Sequence, residues 1–391
     1  MVLHGAVHAK EERRLLWKHK TGERVDTVFL LLLMLLLAVG LTMLYSASYA
    51  QSQYDTGYQI STRYLQKQGI CALIGIGAMI LLSKIPVAFW FKWAWCLYGI
   101  TILLLLSVLV FGQSVNGARR WINIGGIQFQ PSEIAKFTMI LLFARLTKGF
   151  GSQVRQFRYG VLGFGCALLG ILIPLALEKH LSAIMLMGLV AVVMMFVAGT
   201  HPKWLLAGAA AAVVFVIVYI SFMGYAGDRV TAWLHPEQDP GDTGYQILQS
   251  LYAIGSGGVW GLGLGKSRQK YLYLPFQYND YIFAIICEEL GLIGALLIVM
   301  LFGTLILRGY WIALRAPDRF STVLCAGLVT LIAVQTVLNL CVVTNLLPST
   351  GIALPFFSYG GTALAVNLGE MGIVLRISRY RNGITSREAS I

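Results

Sequence analysis

Between residues 25 and 377 the chain alternates long apolar runs with short polar, glycine-bearing connections. The runs fall at 27–47, 69–83, 94–112, 134–147, 159–177, 181–199, 204–223, 281–307, 321–343 and 362–377. A helix needs about 20 apolar residues to cross a bilayer, so this pattern predicts ten membrane spans. The second and fourth runs are short, and they predict helices lengthened by flanking polar residues that the bundle buries. The largest interruption lies at 224–278. Among short connections, a loop of that size is normally functional. Inside it, Tyr245–Ile254 predicts a helix with Tyr245, Leu248, Leu251 and Tyr252 on a common face. Pro236, Pro240, Gly241 and Gly244 force irregular backbone around it, and the glycines of GSGGVWGLGLG (255–265) allow close backbone approach.

Composition removes the alternatives to a membrane protein. The 391 residues are 57% hydrophobic and 12% charged, with a mean hydropathy of +0.73. A soluble domain carries about 25% charged residues, so a soluble, disordered or fibrous chain is excluded. All six cysteines lie in apolar stretches without metal-ligand spacing, which predicts neither disulfides nor a zinc site. Residues 1–24 are basic, and the apolar run after them is too long for the core of a cleaved leader. The expected fold is therefore all-α: a polytopic membrane protein of about ten transmembrane helices with one large outer loop. Its expected parts are a basic cytoplasmic segment (1–24), a ten-span membrane domain (25–377) and a basic cytoplasmic tail (378–391).

The net charge is +13. In a polytopic protein this points to the positive-inside bias and to no nucleic acid. With both termini cytoplasmic, 20 of the 30 Lys and Arg residues fall on the inner side. The outer ten run against that bias. Nine of them cluster: Arg63 and Lys67; Arg119, Arg120 and Lys136; Arg229, Lys266, Arg268 and Lys270. Either they are ordinary loop charges, or together they form an outward-facing site for a phosphate or pyrophosphate.

Two further segments carry candidate chemistry. In QSVNGARRWINIGGIQFQPSEIAK (113–136), paired arginines beside Trp121 suit a phosphorylated sugar, although snorkelling arginines beside a membrane-interface tryptophan would look the same. Pro131-Ser132-Glu133 predicts a helix start, which puts Glu133 and Lys136 on one face. An ionisable pair entering a span is either a structural ion pair or the lining of a cavity. In TNLLPSTGIALPFFSYGGTALAVNL (344–368), proline and glycine interrupt an apolar stretch. That predicts a re-entrant or broken-helix element facing the outer cavity, or a plain loop packed between two spans.

Taken together, these motifs resemble the SEDS family (shape, elongation, division and sporulation), whose members include FtsW, RodA and SpoVE, with FtsW and SpoVE the nearer. The resemblance rests on GLTMLYSAS (40–48), NGARRWI (116–122), QPSEIAKF (130–137) and DPGDTGYQILQSLYAIGSGG (239–258). It continues through GLGLGKSRQKYLYLP (261–275), DYIFAIICEELGLIG (280–294) and TNLLPSTGIALPFFSYGG (344–361), in the family's order over nearly the whole chain. It implies a multi-pass protein of the bacterial cytoplasmic membrane. The implied activity is a peptidoglycan glycosyltransferase that polymerises lipid II at the outer face for division, elongation or sporulation. Its implied partners are membrane lipids, a class B penicillin-binding transpeptidase and other divisome, elongasome or sporulation proteins.

The family's essential loop aspartate falls on Asp239, its arginine–tryptophan loop on Arg119, Arg120 and Trp121, and its intramembrane pair on Glu133 and Lys136. The matching motifs add Gln130, Asp280 and Ser358 as candidate substrate contacts. Two departures stand out. Glu178-Lys179-His180-Leu181-Ser182 replaces the family's Pro-Asp-Leu-Gly-Thr turn, leaving His180 as a ligand or a polar turn group. Tyr278-Asn279-Asp280 replaces a His-Thr-Asp, so only Asp280 carries over.

Glycosyl transfer from a lipid pyrophosphate needs a base for the acceptor hydroxyl and cationic help for the leaving group. Asp239 is the expected base, and Arg119, Arg120, Lys136 and Lys67 are the expected cations. No metal-ligand set is complete, although Glu237, Asp239 and Asp242 would jointly suit Mg²⁺. A lipid-linked-sugar flippase or a non-enzymatic scaffold for a transpeptidase are the rival functions. The first lacks paired broken-helix repeats, and the second leaves the outer arginines and the loop carboxylate unexplained.

Overall fold

A computed structural model describes residues 24–115, 118–124, 127–208, 210, 231–238 and 243–380. Nine of the ten expected spans appear in it as helices: α1 (Thr27–Asp55), α2 (Arg63–Leu82), α3 (Val87–Phe111), α4 (Pro131–Phe150), α5 (Arg158–Leu177) and α6 (Leu181–Val197), then, beyond the loop helix α7 (Thr243–Gly257), α8 (Ile282–Leu314), α9 (Arg319–Val343) and α10 (Gly361–Ser378). Among the described residues, α1, α2, α3, α5, α8 and α9 are long and apolar enough to cross a membrane. The remaining expected span, 204–223, lies largely outside the described residues. Helices α2 and α4 do extend past their apolar runs, and they bury Gln68, Glu133 and Lys136 as they do so.

Chain ends on the two sides of the bundle are built differently. At one end, acidic caps meet basic side chains. Asp26 caps α1 through the Phe29 N–H (3.0 Å) and receives a forked pair from Arg308 (2.8 and 3.1 Å). Asp318 caps α9 and meets Lys148 at 3.3 Å. The opposite end gathers the 178–180 turn, residues 258–281 and residues 344–360. It also holds a small antiparallel meander of β1 (Gln113–Val115), β2 (Ala118–Ile124) and β3 (Ile127–Phe129), in the order β1-β2-β3. Ser114 pairs with Arg119, and Ile122 with Phe129. Two of these strands have three residues each, too few for alternation to stand out in the sequence.

Four helices stop alike. Residues Gly57, Lys179, Gly199 and Asn345 take left-handed backbone just past α1, α5, α6 and α9. In each case the next residue's N–H reaches five positions back: Tyr58 to the Gln53 carbonyl, His180 to Leu175, Thr200 to Met195 and Leu346 to Cys341. This motif satisfies carbonyls that a helix end would otherwise leave open.

Helix α8 is broken at Gly291 (φ 67°, ψ −170°). The backbone freed there pairs with the long loop: Leu262 and Gly263 N–H donate to the Glu288 and Glu289 carbonyls (2.9 and 3.0 Å), and Leu292 N–H donates to Gly258 (2.9 Å). A Cβ on Gly291 would come within 2.3 Å of the Gly261 nitrogen, so only glycine permits this approach. The side chains of the same two residues complete the join. Glu288 accepts from the Arg268 N–H (2.9 Å) and the Ser267 hydroxyl, and Glu289 accepts from Ser46 (2.7 Å) and the Lys270 ammonium (2.9 Å).

Residues 344–360 are irregular yet bury Ile352, Leu354, Phe356 and Phe357. Their backbone is met by side chains. The Asn339 amide donates to the Ile352 and Asp280 carbonyls (2.8 and 2.7 Å), and Gln68 donates to the Ser358 carbonyl (3.1 Å) and accepts from Gly360 N–H (3.2 Å). In α7 the inward stripe is Ile247, Ser250 and Ala253, with Gly257 against the Cys287 carbonyl. The expected aromatic face points away from it, and Tyr252 is 58% exposed. Small residues win because the helix must lie close to α8.

Breaking a buried pair costs about 3–5 kcal/mol because the surviving charge loses its partner. Lys270→Met should therefore lower thermal stability in detergent markedly, and adding Glu289→Met should restore much of it. A single variant as stable as wild type would show that the pair does not hold the loop.

Candidate functional site

Alternation along β2 sends its two arginines in opposite directions. Arg119 is exposed and donates to the Leu109 carbonyl at the end of α3 (3.0 Å). Arg120 is half-buried and donates to the Lys179 carbonyl, which pins the 178–180 turn against the strand. Trp121, beside them, is half-buried.

Helix α4 begins directly after β3. Gln130 is its N-cap, Pro131 takes the first turn, and the Glu133 N–H bonds the Gln130 carbonyl (3.1 Å). That start places Glu133 and Lys136 one turn apart, with a carboxylate–ammonium contact of 2.6 Å, both buried. Of the two expected readings of this pair, the structure shows the ion pair.

Around the Glu133–Lys136 pair and Arg120 the structure adds Glu178 and Glu370, which the motifs did not assign as contacts, and His180, which they left as a ligand or a polar turn group. Glu178 and His180 come from the turn. Glu178 is electrostatically coupled to Arg120, and His180 to both Arg120 and Lys136. Glu370 comes from α10 and is coupled to Lys136 and Glu133. All three are buried. For Glu370 the available signal was a lone acid in the apolar run ALAVNLGEMGIVL, which at membrane depth marks a site by default.

Other candidates sit apart from this cluster. Lys67 is exposed on α2. Asp280 lies under the 344–360 segment, with Oδ2 beside Gly351. The Ser358 hydroxyl is committed within the fold, donating to the Asn279 carbonyl (2.7 Å) and accepting from the Leu354 N–H (2.8 Å). Lys270, expected in the outer cationic cluster, is instead buried against Glu289. Lys266 and Arg268 line an open groove of about 620 Å³ with Tyr271 and Tyr273. Asp239, Asp242 and Arg229 lie outside the described residues. Of the carboxylates expected to suit Mg²⁺, Glu237 is therefore the one described; it is exposed, 3.6 Å from His235 Nδ1.

Chemically, the cluster holds two cations, Arg120 and Lys136, in a partly water-excluded setting, where they act on an anion more strongly than in water. Burial raises the Glu178 carboxyl to about 8, against the pull of Arg120. Burial also lowers His180 to about 3, with Arg120 and then Lys136 adding to the effect. At neutral pH the imidazole is uncharged and the carboxyl is largely protonated.

The family model described as "Cell cycle protein", covering FtsW, RodA and SpoVE, matches residues 26–383. The probable peptidoglycan glycosyltransferase FtsW of Geobacter sulfurreducens is 39% identical over 372 residues, 93% of this chain and 98% of that protein. Stage V sporulation protein E of Bacillus subtilis is 39% identical over 359 residues, 91% and 97% of the two chains. Among solved structures, a chain from work on structural coordination of polymerization and crosslinking by a peptidoglycan synthase complex superposes with a TM-score of 0.78. It is 28% identical, covering 92% of this chain and 99% of that one. The crystal structure of Thermus thermophilus rod shape determining protein RodA gives a TM-score of 0.67 at 27% identity, covering 92% and 98%.

The two shifted groups give opposite pH dependences. Glu178 titrates near 4.5 when unfolded and near 8 when folded, so its stability contribution is full below 4.5 and is lost as pH rises toward 8. His180 titrates near 6.5 unfolded and near 3 folded, so its contribution is full above 6.5 and is lost as pH falls toward 3. The two oppose each other between 4.5 and 6.5, leaving 6.5 to 8 as the window for Glu178 alone. There the wild type should lose stability with a slope approaching about 1.4 kcal/mol per pH unit, and Glu178→Gln should flatten it. Thermal unfolding across that window measures both. An unchanged slope in the variant would remove Glu178 as the cause.

Proposed function

The chain belongs to the FtsW, RodA and SpoVE family of cell cycle proteins, and from that membership we propose that it is a peptidoglycan glycosyltransferase polymerising lipid II at the outer face of the bacterial cytoplasmic membrane. What supports this reading in the molecule is that Arg120 and Lys136 both act on the buried His180 at the loop-bearing end of the bundle, with Lys136 itself buried against Glu133. The name of the Geobacter relative, a probable peptidoglycan glycosyltransferase, agrees with it.

In this reaction the Asp239 carboxylate takes the proton of the acceptor sugar hydroxyl. The acceptor oxygen attacks the anomeric carbon of the donor. The bond from that carbon to the pyrophosphate breaks, and the lipid pyrophosphate leaves with the bonding pair. Arg120 and Lys136 stabilise the charge gathering on it, which is where fixed cations contribute most to rate. Arg119 and Trp121, on the other face of β2, present a guanidinium and an indole to a sugar or phosphate. Gln130 and Asp280 serve as polar contacts, Lys67 as an outer cation, and Ser358 holds the 344–360 segment in shape. Mg²⁺ near Glu237, Asp239 and Asp242 would add charge compensation. The partner is a class B penicillin-binding transpeptidase, as suits a fold shared with a chain of a peptidoglycan synthase complex.

Both termini are assigned to the cytoplasm on the distribution of Lys and Arg. With the native cysteines replaced, a cysteine at Ser256 should react with an impermeant thiol reagent in intact cells and one at Ser386 should not. Equal labelling would overturn the orientation.

Activity is tested with purified protein, lipid II and no other enzyme, scored for glycan polymer. Asp239→Asn nearly preserves shape but cannot take a proton, so it should abolish polymerisation while leaving lipid II binding largely intact. Asp242→Asn should be much milder. Lipid II movement across vesicles without polymer would favour the flippase. Polymerisation by Asp239→Asn near the wild-type rate would sink the assignment of the base.

A further inference from the structure

Helix α8 leaves the protein interior at its break. Every residue from Ile282 to Glu289 is buried, whereas Leu292, Leu296, Leu297 and Met300, beyond Gly291, are exposed. The lipid-facing surface of α8 therefore begins at Gly291. Toward the other end, Arg308 pairs with Asp26, 17 positions on from the break. At 1.5 Å per residue that is about 26 Å, close to the hydrocarbon thickness of about 30 Å. The break thus sits near one hydrocarbon boundary. Residues 258–263, which bond the α8 backbone on both sides of it, lie at the depth of the lipid headgroups.

The loop carries side chains suited to that depth. Trp260 is 82% exposed, and Leu264, Tyr271, Leu272, Tyr273 and Phe276 are exposed as well. Leu272 and Phe276 take left-handed backbone (φ 68° and 54°), which costs a non-glycine residue. Strained backbone that keeps apolar side chains out of the core is unfavourable twice over in water; against lipid, those side chains are buried. The same stretch forms the groove lined by Lys266, Ser267, Arg268, Gln269, Tyr271 and Tyr273. Among the described residues no acid lines it, and neither Lys266 nor Arg268 is in an ion pair. Glu288 and Glu289, which clamp this stretch, are committed to the Ser267 hydroxyl, the Arg268 and Gln269 N–H groups and the Lys270 ammonium. The clamp fixes the backbone and leaves the two groove cations uncompensated. Gln269 Oε1, shielded from water, accepts no hydrogen bond, so it has an acceptor to offer a ligand hydroxyl.

We propose that this groove binds the headgroup of an anionic bilayer phospholipid, with the exposed rim set into the adjoining leaflet. The phosphate meets Lys266 and Arg268, and a headgroup hydroxyl donates to Gln269. Phosphatidylglycerol has that chemistry, one phosphodiester charge and free hydroxyls. A zwitterionic headgroup would bring its own cation against the two in the groove. The tyrosine and tryptophan side chains take the headgroup level that such residues favour. That this leaflet is the outer one rests on the orientation assigned above; the lipid contact does not.

Binding is measured on the full-length protein in detergent, as the rise in unfolding temperature with added phosphatidylglycerol. Lys266→Gln combined with Arg268→Gln should weaken the apparent affinity about thirtyfold. Its unfolding temperature without lipid should match wild type, because Glu288 holds Arg268 by the backbone N–H and not by the guanidinium. Phosphatidylcholine and inorganic phosphate should give no comparable rise. An unchanged affinity in the double variant, or equal stabilisation by either control, would overturn the headgroup site. So would a preference for undecaprenyl pyrophosphate, which would make the groove part of a lipid-substrate path. In nanodiscs, lipids brominated near the headgroup should quench an emission component that Trp260→Phe removes. Equal quenching of wild type and variant would place the loop clear of the membrane, make its rim a face for another protein, and overturn the proposal. None of these readouts depends on polymerisation or sidedness. An inactive or inverted protein that still binds phosphatidylglycerol this way would refute the function or the orientation and leave the lipid site standing.

Discussion

The outer end of this molecule hangs on two adjacent carboxylates. Glu288 and Glu289 lie where α8 breaks at Gly291, and they meet five donors from residues 267–270 as well as Ser46 of α1. Buried acids impose this arrangement, because each oxygen without a partner would cost more than a typical hydrogen bond contributes. The loop therefore cannot drift from the bundle without exposing a pair of desolvated charges. Its fixed course carries the chain to Asp280 and the Tyr278 carbonyl, against which the 344–360 segment is laid through Asn339 and Tyr359.

The same economy governs the candidate site, with the opposite purpose. In the Glu288–Glu289 knot every carboxylate is provided for. Around Lys136 the provision is incomplete: Glu133 Oε2 has its ion pair with the ammonium, whereas Glu178 Oε1, the His180 Nδ1 and both oxygens of Glu370 lack hydrogen-bond partners. Unsatisfied polar atoms in a site are what a ligand can meet, since a site complete in itself gives a substrate nothing to bind. The three-way β meander serves this cluster by aiming Arg120 at the turn, while Arg119 faces outward.

How much of this could be seen beforehand differs by residue. The spans were legible because burial in lipid writes itself into long apolar runs, and the helix start at Pro131 fixed Glu133 and Lys136 on one face. The meander was not legible, because a three-residue strand has no period to detect. The face of α7 was misleading, since close approach to α8 selects Ser250, Ala253 and Gly257 over the larger Tyr245 and Tyr252. Lys270 looked like one more outer cation, and only its contact with Glu289 removes it from that group.

The sequence by itself determined the membrane class, the order of the helices, the family and the motifs that carry charge into the bundle, because each is a local property of composition or spacing. Which charges meet was decided by tertiary structure alone. Arg120, Glu133, Lys136, Glu178, His180 and Glu370 span 251 positions of the chain. No local pattern relates an acid on α10 to a lysine on α4. Their coupling exists because the helices pack, exclude water and lower the dielectric between them.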